Sequence, residues 1–196
     1  MKLSLPIMAS AFLATAYSIT DLAWIGTLGS SAVAGVGAGG MYVWLSQGLS
    51  TLARMGGQVP MAQELGKGNI EEAKKYAVTS LWLVTFFGIL FGAICFFFSD
   101  SLISFYNLDS IQTENYAKIY LQITCGLIIF SYIGYTLTGP YTAQGDSKTP
   151  LKANFIGLAT NMLLDPVLIL GMGPFPRLEV LGAAAATVFS QILVAI

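Results

Sequence analysis

Residues Leu151 to Met172 read LKANFIGLATNMLLDPVLILGM. The run is long and apolar enough to cross a bilayer, which takes about 20 residues of helix. Yet it carries Asn161, Asp165 and Pro166 in its interior. An amide and a carboxylate four residues apart share one face of a helix. The proline that follows cannot donate a hydrogen bond back to the carbonyl of Met162. A carboxylate inside a span costs roughly 2.5–3.5 kcal/mol on insertion scales and marks function more often than packing. Leucine at all three positions would span a membrane at lower cost, so partners for the trio are sought in the rest of the chain.

The composition agrees with a membrane protein. Of 196 residues, 55% are hydrophobic and 10% charged, with a mean hydropathy of +0.71. Soluble domains carry about 25% charged residues. Six apolar segments follow one another, at about residues 3–26, 32–53, 76–98, 116–141, 151–172 and 182–196. The expected fold is therefore an all-α membrane protein, a six-span helical bundle. The last segment is still running at Ile196, so the chain reads as part of a longer protein.

Lys2, Arg54, Lys67, Lys74, Lys75, Lys148 and Lys152 fall on one side if the spans alternate, against Arg177 and Lys118 on the other. Basic residues concentrate in cytoplasmic loops. The expectation is a multi-pass protein of the cell membrane with a cytoplasmic N-terminus and lipids as partners. No basic patch with interleaved aromatics is present, so nucleic acid is not an expected partner. The chain has no histidine. That removes the usual zinc sites and His-based catalysis, and no Ser or Cys stands beside a recognisable base. An enzyme is not expected, nor is an organic cofactor. Cys95 and Cys125 lie in apolar segments and read as core residues.

Local signals mark the helix ends. Asn69 with Glu72 fits a capping box ahead of the third span. Asp109 or Ser110 suits the start of an amphipathic lead-in to the fourth. Thr149 followed by Pro150 fits an N-cap and first helical position for the fifth, and Gly173-Pro174-Phe175-Pro176 ends it. Gly35, Gly37 and Gly40 satisfy GxGxxG, but no strand precedes them, and Gly35 with Gly39 makes GxxxG, a close-packing motif in membranes. Gly88 and Gly92 repeat it.

A second acid, Asp21, lies near the end of the first span beside Trp24. Asp21 reads either as an interfacial carboxylate beside an aromatic-belt residue or as an ion or proton site. No Lys or Arg is expected in the membrane interior to neutralise Asp165, so it must bind a cation or be protonated. Carboxylate, amide oxygen and a freed carbonyl are hard ligands suited to Na⁺, and with water they serve H⁺ equally. Broken helix geometry at such a site is a transporter device. The deciding observation is whether Asp21 and Asp165 face each other within about 8 Å, where acids couple their titrations. Among further polar residues in or near the spans are Tyr120, Tyr135, Gln144, Thr187 and Gln191. The many aromatics suit a cavity for amphipathic cations and equally suit lipid contact; Tyr120, Tyr135 and Gln144 are the expected cavity residues.

Four stretches together resemble a known family. They are Asp21-Leu22-Ala23-Trp24-Ile25-Gly26-Thr27-Leu28-Gly29, Ala143-Gln144-Gly145-Asp146-Ser147-Lys148-Thr149-Pro150, Asn161-x-x-x-Asp165-Pro166 and Gly182-Ala183-Ala184-Ala185-Ala186-Thr187. In that order they look like the multidrug and toxic compound extrusion (MATE) transporters. The resemblance implies twelve spans in two lobes, of which this chain is the N-terminal lobe and the C-terminal lobe is missing. It implies export of cationic or amphipathic small molecules in exchange for Na⁺ or H⁺ by alternating access, with packing changes in spans one and five and a bend at Pro166. Asp21 matches the first-span acid of one bacterial and archaeal branch, and Asn161 and Asp165 match its fifth-span pair. Thr187 and Tyr120 match two further polar positions, and Tyr135 stands near one where the branch can carry asparagine. The expected ion site is thus Asp21, Asn161, Asp165 and Thr187. The alternatives are a lipid-precursor flippase of related two-lobe design, which needs a cationic cavity, and a structural membrane protein, which leaves Asp165 unexplained.

Overall fold

The computed structural model describes residues 4–173 and 175–196. Lys2, the predicted start of the first span at Leu3 and Pro174 lie outside the described residues. Among the described residues eight helices run in order: α1 Ser4–Gly26, α2 Ser30–Gly66, α3 Ile70–Phe97, α4 Ser99–Ser104, α5 Ile111–Thr124, α6 Ile129–Ala143, α7 Lys148–Leu170 and α8 Val180–Ala195. No strand occurs among the described residues. By length and apolar composition α3 and α7 can each cross a membrane, and α5 with α6 makes a third crossing element bent by 45°. Large apolar side chains point outward, among them Trp82, Phe86 and Ile89 of α3 and Leu163 of α7. Alanine, glycine, serine and threonine share the interior with a few large side chains such as Ile25, Leu121, Tyr132 and Ile169. That distribution suits a lipid solvent, in which apolar burial does not drive helices together and small residues let backbones approach.

The GxxxG reading holds in detail. A Cβ on Gly35 would sit 2.8 Å from the Thr113 carbonyl oxygen, and one on Gly39 3.0 Å from that of Ala117, so both glycines let α2 lie against α5. Gly88 and Gly92 do the same for α3 against Ile129 and Gly126, where a Cβ would stand 3.1 and 2.9 Å from the backbone. The core is three linked clusters. One joins Ile25, Val36, Tyr120, Ile169 and Ala183, drawing α1, α2, α5, α7 and α8 together. A second holds Ala38, Cys95, Ala117, Leu121 and Cys125, and a third Ala53, Val84, Ile128 and Tyr132. Tyr132 donates from its hydroxyl to the Ser46 carbonyl at 2.6 Å, tying α6 to α2.

Several boundaries differ from the sequence reading. The helix expected to stop at Ala53 continues to Gly66, with Pro60 inside it. Arg54 is therefore not a loop residue but half-buried on α2, within electrostatic reach of Tyr135. Propensity does not explain the continuation, since Gly56, Gly57 and Pro60 lie in it; packing does, with Gly57 pressed against Ser80 of α3 and Ser80 Oγ donating to the Ala53 carbonyl at 3.0 Å. The fourth span is not one helix: turns at residues 125–128 separate α5 from α6. The segment after α3 holds the short helix α4.

Caps account for the other ends. Asn69 Oδ1 accepts from the Glu72 amide at 3.5 Å, while Glu72 itself pairs with Lys75 instead of closing the box. Ser110 Oγ accepts from the Thr113 amide at 3.1 Å and starts α5. Thr149 is not the N-cap of α7. Asp146 takes that load, accepting from the amides of Lys148 and Thr149 at 2.9 and 3.2 Å and from the Thr149 hydroxyl at 2.6 Å. A carboxylate satisfies more first-turn donors than a hydroxyl and suits the positive end of the helix dipole. At its other end α7 stops at Gly171 (φ 72°), ahead of the predicted breaker at Gly173. A Cβ there would lie 2.6 Å from the Arg177 amide nitrogen, so both the left-handed backbone and the space demand glycine. Pro166 sits inside α7 without ending it.

Candidate functional site

Asn161, Asp165 and the cavity-facing Asn154 recur along one face of α7, since positions seven and eleven apart return to the same side of a helix. That face turns inward. Asn161 and Asp165 are 0% exposed and Asp21 on α1 is 8% exposed. Asn161 donates from Nδ2 to Asp165 Oδ1 at 3.1 Å. Asp21 and Asp165 lie within electrostatic reach of each other, and both act on Tyr120, which is buried on α5. Packing of α1 along α7, with Ile25 and Ile169 in one cluster, brings these groups together.

Three oxygens of this group have no hydrogen-bond partner among the described residues: Asp21 Oδ1, Asn161 Oδ1 and Asp165 Oδ2. Buried acceptors are costly when unpaired. No Lys or Arg forms an ion pair with either acid among the described residues. Two carboxylates and an amide oxygen are hard donors that a small cation or a proton can satisfy. Among the described residues no group of three His, Cys, Asp or Glu is placed to hold a metal ion, so an all-carboxylate or thiolate centre is not built.

The other predicted residues separate. Thr187 is buried on α8, which packs along α7. Tyr120 lies near the acids, because α5 carries it into the cluster with Ile25 and Ile169. Gln144 is the exposed C-cap of α6, beyond the bundle interior. Tyr135 does line a cavity, one of about 140 Å³ between α1, α6, α7 and α8. Its polar wall consists of Ser131, Asn154, Ser190 and Gln191. Ser131 Oγ and Gln191 Oε1 there have no partner among the described residues. Gln191 stood out in the sequence as one more polar residue in a span. Asn154 could have been found by extending the Asn161–Asp165 face by two turns toward Lys148, whereas Ser131 and Ser190 give no signal separable from helix-packing serines.

The chain resembles known proteins along nearly its full length. The MatE family profile matches residues 6–167. The probable multidrug resistance protein NorM of Thermotoga maritima is 31% identical over 196 residues, a match covering 97% of this chain and 41% of that protein. The FAD transporter of Shewanella oneidensis is 26% identical, covering 98% of this chain and 42% of its own length. Among solved structures, a MOP superfamily transporter from Pyrococcus furiosus superposes with a TM-score of 0.87 at 26% identity, over 99% of this chain and 42% of that one. An outward-facing multidrug resistance MATE family transporter gives 0.85 at 26% identity, over 99% and 42% of the two chains. This chain thus spans about two fifths of the length of the relatives it matches. Its all-α bundle corresponds to one lobe of those longer transporters, and the chain belongs to the MatE family.

Proposed function

We propose that the chain is the N-terminal lobe of a cation-coupled antiporter of the cell membrane, exporting amphipathic or cationic compounds by alternating access. Its N-terminus faces the cytoplasm, and its partners are lipid, a small-molecule substrate and a C-terminal lobe. The observation that carries the reading is the buried Asn161–Asp165 pair beside Asp21, with three acceptor oxygens unpaired. The coupling cation, Na⁺ or H⁺, fills that site with Thr187 as a further ligand on α8. The 140 Å³ cavity touched by Tyr135 receives part of the substrate. Asn154 in the cavity wall and Asn161 in the ion site stand two turns apart on α7, so cation occupancy and substrate contact act on one helix. Movement of α7 against α1, eased at Pro166 where the Met162 carbonyl lacks its usual donor, exchanges one occupant for the other.

Relatives named as multidrug resistance proteins support the drug-export side of this reading. A flippase for phosphorylated lipid precursors requires a cationic cavity, and no Lys or Arg lines this one. An enzyme is disfavoured because no nucleophile–base set accompanies the acids among the described residues. The test is ion-driven export of a cationic dye by the full-length protein in proteoliposomes. Asp165→Asn abolishes the response to an imposed Na⁺ or H⁺ gradient. Unchanged gradient-driven export by the variant overturns the proposal.

A further inference from the structure

Cys95 and Cys125 are buried, 1% and 0% exposed, and belong to different elements of the bundle. Cys95 lies near the end of α3, and Cys125 is the first residue of the break between α5 and α6. They pack into one cluster with Ala38, Ile103, Ala117 and Leu121. Gly92 and Cys95, three residues apart, share the face of α3 that packs on residues 125 and 126. A disulfide needs close backbones as well as close sulfurs, and the glycines supply that approach. A Cβ on Gly92, one turn before Cys95, would stand 3.1 Å from the Cys125 carbonyl oxygen and 2.9 Å from that of Gly126.

We propose that Cys95 and Cys125 form a reversible disulfide site that locks α3 to the break between α5 and α6. The oxidant is a small uncharged peroxide able to enter an apolar bundle. One thiol, as its thiolate, attacks the peroxide: an S–O bond forms, the O–O bond breaks and hydroxide leaves. The second thiol attacks that sulfur, so an S–S bond forms, the S–O bond breaks and hydroxide leaves again. Overall two thiols lose two electrons and two protons, and hydrogen peroxide becomes two waters. The bond freezes the 45° bend between α5 and α6, the one irregular stretch of that element.

The test treats the full chain in membranes with hydrogen peroxide and then alkylates the remaining thiols. The expected result is an intact mass lower by two hydrogens, neither cysteine alkylated, and a cross-linked peptide containing Cys95 and Cys125 that dithiothreitol separates. Amide hydrogen exchange at residues 125–128 slows in the oxidised protein and recovers on reduction. Cys95→Ala shows no such mass change. Full alkylation of both cysteines after peroxide, a mass increased by oxygen atoms, or a cross-link only between chains overturns the proposal. The covalent readout is independent of transport, so it stands or falls apart from the antiporter reading.

Discussion

Asn161 Nδ2 and Asp165 Oδ1 are joined by a 3.1 Å hydrogen bond across one turn of α7, fully buried. The bond uses one donor of the amide and one acceptor of the carboxylate. The opposite atoms, Asn161 Oδ1 and Asp165 Oδ2, are left without partners among the described residues and, with Asp21 Oδ1, remain open to a cation.

On the proposed reading, cation occupancy should stabilise the fold. A ligand at about a hundred times its Kd adds about 2.7 kcal/mol. Thermal unfolding of the purified protein should respond to added Na⁺ or to lowered pH in the wild type. Asp165→Asn should remove that response, and Asp21→Asn should weaken it. A wild type indifferent to both cations contradicts the ion-site reading.

Glycine substitutions on α2 should divide by face. Gly35→Ala drives a methyl into the Thr113 carbonyl and Tyr116 Cβ, both 2.8 Å from the ideal Cβ. It should cost about 1–3 kcal/mol, as overpacking does. Gly37 has nothing within 4 Å, so Gly37→Ala should be neutral or stabilise by up to about 1 kcal/mol through helix propensity. Equal effects in thermal unfolding would show that α2 and α5 do not meet as described.

Tyr132→Phe removes the donor to the Ser46 carbonyl, a 2.6 Å bond between α6 and α2 that is buried at both ends. The loss should be about 1 kcal/mol, read as a lowered midpoint in chemical or thermal unfolding. An unchanged midpoint would mean that the ring packing alone holds these helices.

Asp146 caps α7 outside the membrane-spanning part. Hydrogen bonds from the Thr149 hydroxyl and from the Thr149 and Lys148 amides hold its carboxyl below the usual carboxylate range. A depressed folded-state value means that the contribution is present above the unfolded value, about 3.9, and fades as pH falls through the folded one. Asp146→Ala should destabilise at neutral pH and flatten the loss of stability on the acid side. A variant whose acid limb matches the wild type would refute this account of the cap.

Much of the site could be read from the chain because its parts are local. Asn161 and Asp165 are one helical turn apart, and any helix through them places both on one face. The glycine pairs on α2 and α3 were equally legible, since GxxxG already states which face lies close to a neighbour. Long-range facts were not. That α1 brings Asp21 beside Asp165 depends on how α1 and α7 cross, and no spacing encodes it. Tyr120, Tyr135 and Gln144 were expected to share one cavity, yet α5 carries Tyr120 to the acids and Gln144 is exposed at the end of α6.

The sequence by itself determined an all-α membrane protein with an acid–amide pair inside one helix, because hydropathy and helical periodicity are properties of contiguous residues. Only the tertiary structure decided that α2 carries Arg54 past the expected loop boundary, that Asp146 and not Thr149 caps α7, and that the fourth apolar segment breaks at residues 125–128. The physical reason is common to all three. Each helix end is set by which backbone groups and neighbouring helices satisfy it, and those partners arrive from elsewhere in the chain.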